Sequence, residues 1–203
     1  MDLLIATSNP GKLREYELLL AGIPLRLLNL RDVGLDKLAV DENADTVAAN
    51  AEIKAQAYVR ASGLLTLADD TGLMVDALGG APGAFPARYG GDGLTMAQRR
   101  QKLLKELEGV PDERRTARFA CVIVLAYPQT MTTTSASGVC EGRIAQQEDV
   151  GGHGFGYDAV FIPKGYDMPW SRMPMEEKNR ISHRGEAARQ LIPILERLAR
   201  EQS

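Results

Sequence analysis

Leu64-Leu65-Thr66-Leu67-Ala68-Asp69-Asp70-Thr71-Gly72-Leu73 carries an apolar segment straight into two adjacent acids. The segment over residues 64–68 reads as a buried strand that runs into Asp69-Asp70-Thr71-Gly72, and extended structure resumes over residues 73–78. Before it, residues 46–61 are rich in Ala with Glu, Lys and Gln, which predicts a helix stopped by Gly63. Earlier still, Asp2-Leu3-Leu4-Ile5-Ala6-Thr7 reads as a buried strand. Ser8-Asn9-Pro10-Gly11 reads as a turn, and Leu13, Tyr16, Glu17 and Leu20 fall at helical spacing until Gly22 and Pro24. A second strand is predicted over residues 25–30. Downstream, Gly and Pro crowd residues 79–93, an amphipathic helix is predicted over 95–107, and strands over 119–127, 131–141 and 157–162. The last helix spans roughly residues 186–200. Strands and helices alternate early and strands cluster in the middle, so the class is α/β or α+β around a mixed sheet.

The 203 residues suit one domain, 1–203, with no repeat or linker dividing it. A hydrophobic content of 44% with 25% charged residues is ordinary for a soluble protein. The longest apolar run, residues 121–127, is far too short to cross a bilayer, and the opening residues resemble neither a signal nor a transit peptide. Cys121 and Cys140 suggest no secreted disulfide scaffold, so a cytoplasmic location is expected. A formal net charge of −3 argues against stable nucleic-acid binding, but it leaves room for a small polyanion if a metal ion and a few placed bases supply positive charge.

Four segments hold chemistry-bearing residues. In Thr7-Ser8-Asn9-Pro10-Gly11-Lys12 a strand enters a helix through small residues, with a lysine in the first turn; helix N-termini and lysines bind phosphate. The same stretch also reads as a plain connection in which Ser8 or Asn9 caps the helix. Asp69 and Asp70 at a strand end, with Asp41 and Glu42 in an earlier loop, are oxygen donors of the kind that Mg²⁺ takes together with substrate phosphates. As plain structure, Asp70 would open a turn and Asp41 and Glu42 would be solvated. Gly154 to Ala159 formally matches a dinucleotide fingerprint, but no helix follows it, which leaves a glycine loop with aromatics and an acid suited to a flat base or ribose. Residues 176–185 concentrate cationic side chains, with Lys178 and Arg184 as donors for phosphate or base oxygens, or else form an exposed helix start with His183 an ordinary surface residue.

In this order the segments resemble the inosine triphosphate pyrophosphatase family. Asn50-Ala51, Lys54-Ala55, Gly80-Ala81-Pro82-Gly83, Ala87-Arg88-Tyr89 and Ala117-Arg118-Phe119 extend the match to nearly the whole chain. The resemblance implies an elongated mixed β-sheet flanked by helices, with two lobes, a nucleotide cleft between them, and a homodimer. It implies Mg²⁺ held by Glu42 and Asp70, with Asp70 also the base and Asp69 in a supporting role. Thr7, Ser8, Asn9, Pro10, Gly11, Lys12, Thr71 and Lys178 are implied to hold the triphosphate, and Phe155, Gly156, Tyr157, Asp158, His183 and Arg184 the base and ribose. The implied reaction cleaves ITP, dITP or XTP to the monophosphate and pyrophosphate. Thr71, Ala49 and Ala159 depart from the family pattern, which has Ser, an acid and Pro at these places. A pyrophosphatase for pyrimidine or methylated nucleotides and a non-hydrolysing nucleotide regulator are the competing readings; the acids near phosphate speak against the second.

Overall fold

The computed structural model describes residues 1–201. In chain order the elements are β1 (Asp2–Ile5), α1 (Pro10–Leu19), β2 (Arg26–Leu28), α2 (Val47–Ser62), β3 (Thr66–Val75), β4 (Pro82–Gly83), α3 (Met96–Glu106), β5 (Thr116–Ala126), β6 (Thr133–Ile144), β7 (Phe161–Pro163), α4 (Met175–Ile181) and α5 (His183–Glu201). The strands order as β2-β1-β3-β5-β6-β7, with β4 beside β3. β1 runs parallel to β2 and β3, pairing Leu4 with Leu28 and Thr66, whereas β3–β4 and β6–β7 are antiparallel. The sheet is therefore mixed. Its parallel part coincides with the early alternation of strand and helix, because parallel neighbours need a crossover between them.

The chain forms two compact units. The first comprises residues 1–70, 121–138 and the chain from Arg184; the second comprises 71–120 and 139–183. In the first unit both faces of the sheet are covered, which explains why its strands are apolar without alternation. Leu3, Ile5, Leu67, Ile123 and Leu125 pack with Tyr16 and Leu20 near α1 and with Leu191 and Leu195 of α5. Leu4, Ala6, Ala68, Val124 and Ala126 pack on the other side against Ala51, Ala55 and Val59 of α2. The second unit has its own core, in which Leu73, Val75, Phe119, Phe161 and Trp170 meet Leu103 and Leu107 at α3.

Local signals set the helix ends. Asn9 caps α1, and its Oδ1 accepts from the N–H groups of Gly11 and Lys12 at 2.8 and 3.3 Å. Thr46 caps α2, which Gly63 closes in the left-handed region, and Thr95 with Gln98 forms a capping box on α3.

Several elements differ from the sequence expectation. β3 continues unbroken through Asp69-Asp70-Thr71-Gly72, where a pause was expected. Residues 157–160 form a turn, so β7 covers only part of the predicted 157–162 strand and includes Pro163. Residues 175–181 make a separate helix, and the final helix begins at His183 rather than near residue 186. The packed faces predict the energetic weight of β1: Ile5→Ala removes a fully buried side chain and should cost about 2–5 kcal/mol, whereas Leu18→Ala, on an exposed part of α1, should stay within about 0.5 kcal/mol. Urea denaturation of the two variants checks this ordering.

Candidate active site

Strand alternation decides what the two acids of β3 do. Leu65 and Leu67 lie on the face covered by α1 and α5, and Asp69 follows them there at the period of two. Asp70 turns to the face of Ala68, which α2 covers. Asp69 is 1% exposed, yet its carboxylate is densely engaged. Its Oδ2 accepts from Nε and Nη2 of Arg184 at 3.2 and 3.0 Å, lies 2.9 Å from Lys12 Nζ, and has Cys121 Sγ at 3.7 Å. Its main-chain oxygen accepts from Lys54 Nζ at 3.0 Å and Lys12 Nζ at 3.4 Å. Nη1 of Arg184 donates to Glu15, which is also fully buried.

Burial alone would raise the pKa of Asp69, but the charges of Lys12, Arg184 and Lys54 outweigh it and hold the carboxyl well below the usual carboxylate range. Burial would likewise favour neutral Arg184, and Asp69 and Glu15 overcome it. The buried Tyr16 hydroxyl is pushed well up by desolvation and by the nearby Asp69 charge.

On the α2 side, Lys54 Nζ lies 2.6 Å from Glu42 Oε2 while it donates to the Asp69 carbonyl. Its charge is opposed by burial and favoured by Asp69, Glu42 and Asp70, so Asp70 belongs to the same electrostatic neighbourhood. Asn50, one turn before Lys54, fastens the loop that carries Glu42: its amide gives and takes hydrogen bonds with the main chain of Ala44, both at 2.9 Å. Glu42 and Asp70 are partly exposed, unlike Asp69.

Among the described residues no cluster of three or more His, Cys, Asp or Glu side chains forms a closed protein cage. Magnesium asks for less: one or two carboxylates, with water and substrate phosphates completing the octahedron. Formal charges point the same way. Lys12, Lys54 and Arg184 face Glu15, Glu42, Asp69 and Asp70, three cations against four carboxylates, before any phosphate arrives. A further cation would balance this cluster, and the partly exposed Glu42 and Asp70 are the hard oxygen donors that would hold it.

The remaining expected site residues fall as follows. Thr7 Oγ1 accepts from Asn9 N–H at 3.1 Å, and the N–H groups of Gly11 and Lys12 are given to Asn9. Ser8 and Pro10 are exposed, and Gly11 is buried. Thr71 is partly exposed in β3.

In the second unit, residues 154–158 form a tight loop in which Asp158 Oδ2 accepts from Phe155 N–H at 2.7 Å and lies 2.5 Å from Lys178 Nζ. A Cβ on Gly154 would come within 2.4 Å of that same oxygen, and the residue sits at φ +80°, so only glycine fits. Lys178 is buried with its Nζ 4.6 Å from the Phe155 ring centre and 5.1 Å from that of Trp170. Tyr157 is buried, and its hydroxyl donates to the Pro86 carbonyl at 2.9 Å. His183 joins a cluster of rings, with its centroid 4.9 Å from that of Phe119 and 5.5 Å from that of Trp170.

Arg184, expected to offer donors to a base, directs one bond from each of Nε, Nη1 and Nη2 to two buried carboxylates. Two further residues emerge that the sequence reading had not assigned to the site, Lys54 and Glu15. The available signal was spacing: Lys54 lies four residues after Asn50 on α2, and Glu15 three after Lys12 on α1, so each pair shares a helix face. The division between the two acids predicts opposite phenotypes in stability. Asp69→Asn keeps the volume but strands buried cations, and it should cost about 3–5 kcal/mol; Asp70→Asn should leave the melting temperature near that of wild type. Thermal melts of both variants decide the matter.

Comparison with known proteins places these residues in context. The Ham1 family model matches residues 3–194. A protein of Anaeromyxobacter sp. (strain Fw109-5) named dITP/XTP pyrophosphatase is 41% identical, covering 99% of both chains, and one of the same name from Bacillus subtilis (strain 168) is 39% identical, covering 96% of this chain and 97% of its own. Among solved structures, a HAM1 protein from Coxiella burnetii superposes with a TM-score of 0.83 at 37% identity, covering 96% of this chain and 98% of its own. A nucleoside-triphosphatase / dITP/XTP pyrophosphatase from Mycobacterium abscessus gives a TM-score of 0.72 at 38% identity, covering 95% and 100%. With its mixed sheet, its carboxylate–cation cluster and a match over nearly its full length, the chain belongs to the Ham1 family.

Proposed function

We propose that this chain hydrolyses non-standard purine nucleoside triphosphates, dITP, XTP and ITP, to the monophosphate and pyrophosphate, and that it requires Mg²⁺. The observation that carries the reading is the split between the two acids of β3. Asp69 is buried as the counter-ion that gathers Lys12, Lys54 and Arg184, while Asp70 stays partly exposed in the electrostatic reach of Lys54 and Glu42. A protein that only bound a polyanion would have no use for acids at that place.

In this reading Asp70 orients a water molecule and takes its proton as the oxygen attacks the α-phosphorus. The bond from that phosphorus to the bridging oxygen breaks, and pyrophosphate leaves. Magnesium, held by Glu42 and Asp70, supplies charge neutralisation on phosphate oxygens when bound. Lys12, with Thr7, Ser8 and Thr71, takes the triphosphate. Phosphoryl chemistry demands mostly position and charge, and Asp69 provides both by holding the ammonium of Lys12 in place. Phe155, Asp158 and His183 take the base and ribose. Arg184 acts through Asp69 and Glu15, so the donor that reads the 6-oxo group is sought at His183. The reading includes a homodimer and a cytoplasmic location, in keeping with the family resemblance; no helix among the described residues is long and apolar enough to cross a membrane.

A pyrophosphate-release assay over ITP, dITP, XTP, GTP and ATP tests the substrate class. Turnover of ATP as fast as that of ITP would overturn it, since a donor-lined pocket that meets an amino group in place of an oxygen should discriminate by about 10⁴ or more. Asp70→Asn should lose about 10²-fold or more in kcat with its fold intact, because the amide retains shape without basicity. Glu42→Gln should instead shift the Mg²⁺ titration to higher concentration, and unchanged titration curves would remove Glu42 from the metal.

A further inference from the structure

α3 carries a group that the reading above does not use. Arg100 is largely buried, and its guanidinium does two things at once. Nε and Nη2 lie 2.6 and 2.5 Å from Glu148 Oε1, and Nη1 donates to the main-chain oxygen of Gly156 at 2.7 Å. Glu148 is held from its other oxygen by Gln101 Nε2 at 2.9 Å. Gly156 sits in the middle of the 154–158 loop at φ +62°, beside Gly154 at φ +80°. Two glycines in this loop leave its backbone many accessible states, so its shape depends on what holds it from outside. Asp158 is held through Lys178, and Tyr157 through the Pro86 carbonyl. Gly156, which has no side chain, can be held only by its peptide group, and Arg100 does this.

We propose that Arg100 is a positioning residue for nucleotide binding: its fork, anchored on Glu148, pins the Gly156 carbonyl and so sets where Phe155 and Asp158 stand. The inference rests on the reading that residues 155–158 hold the base and ribose. Arginine is required for the task. It offers N–H groups in a rigid plane, some for the carboxylate and another directed onward to a carbonyl, whereas lysine presents a point charge that cannot span both. The neighbouring Arg99 pins the carbonyls of Tyr89 and Gly91 in the same manner, so α3 serves as the fixed element to which both loops are tied.

The test measures kcat and KM for ITP with Mg²⁺ in wild type, Arg100→Ala, Arg100→Lys, Phe155→Ala and the Arg100→Ala/Phe155→Ala double variant. Arg118→Ala serves as the control, since it removes a pair of the second unit, Arg118 with Asp76, that is exposed and makes no bond to the loop. Loss of one charge-assisted hydrogen bond should raise KM about tenfold in Arg100→Ala, with kcat little changed and Arg100→Lys giving incomplete recovery. The double variant should be scarcely worse than Phe155→Ala, because both changes act through the same loop. If Arg100→Ala leaves KM at the wild-type value, or lowers only the melting temperature as Arg118→Ala does, the positioning role is overturned. A full additional KM increase in the double variant overturns it as well. If Arg100→Ala fails to fold, Glu148→Gln takes its place, with a smaller KM increase expected and none overturning the proposal. Phe155→Ala separates the two levels: if it leaves KM unchanged, the loop is not the base site and the functional reading of residues 155–158 fails first.

Discussion

A carboxylate cannot be buried in the middle of a sheet unless cations are brought to it, and Asp69 imposes that requirement on the whole first unit. Lys12 comes from the first turn of α1, Arg184 from the start of α5, and Lys54 reaches the main-chain oxygen from α2. Each is an element boundary or face that would otherwise be free to shift by a fraction of a turn. Glu15 then satisfies the outer side of Arg184, so the cluster is closed by opposite charges on both sides. Replacing such a cluster by apolar residues need not reduce stability. What it supplies is a fixed location for the ammonium groups of Lys12 and Lys54, the second within electrostatic reach of the partly exposed Asp70.

The second unit handles the same difficulty in a different medium. Lys178 and Asp158 are a buried pair with rings packed on it, Phe155 and Trp170 lying against the ammonium. The negative faces of the rings compensate the cation without adding formal charge. Asp158 meanwhile also closes its own loop through the Phe155 N–H. One carboxylate thus fixes both a loop and a lysine, which explains why the Cβ-free Gly154 must stand beside it.

Much of this was legible in the sequence, and the failures have physical causes. β1, α1 and α2 followed from apolar runs and turn residues, because burial of strands on both faces leaves an unmistakable pattern. The stretch Asp69-Asp70-Thr71-Gly72 looked like an interruption, since acids and glycine are poor strand residues. It is strand all the same: tertiary cations override that propensity for Asp69, a fact that no local window contains. Residues 157–162 looked extended because aromatic and β-branched residues dominate them, yet the two glycines just before and the Asp158 bonds leave residues 157–160 in a turn. Arg184 was read as a donor to a ligand, and its bonds to Glu15 and Asp69, 169 and 115 positions away in the chain, were not visible to that reading. Lys54 and Glu15 were passed over because a lysine or glutamate on a helix is ordinarily solvated.

Trp170 has a practical meaning beyond packing. It is the chain's single tryptophan, fully buried, stacked 5.5 Å from His183 and 5.1 Å from the Lys178 ammonium. Light that excites indole selectively therefore interrogates one place in the molecule, between two groups assigned to nucleotide recognition. Cations beside an indole shift its emission and drain its excited state, so the molecule carries a built-in optical gauge, readable in real time and without any label.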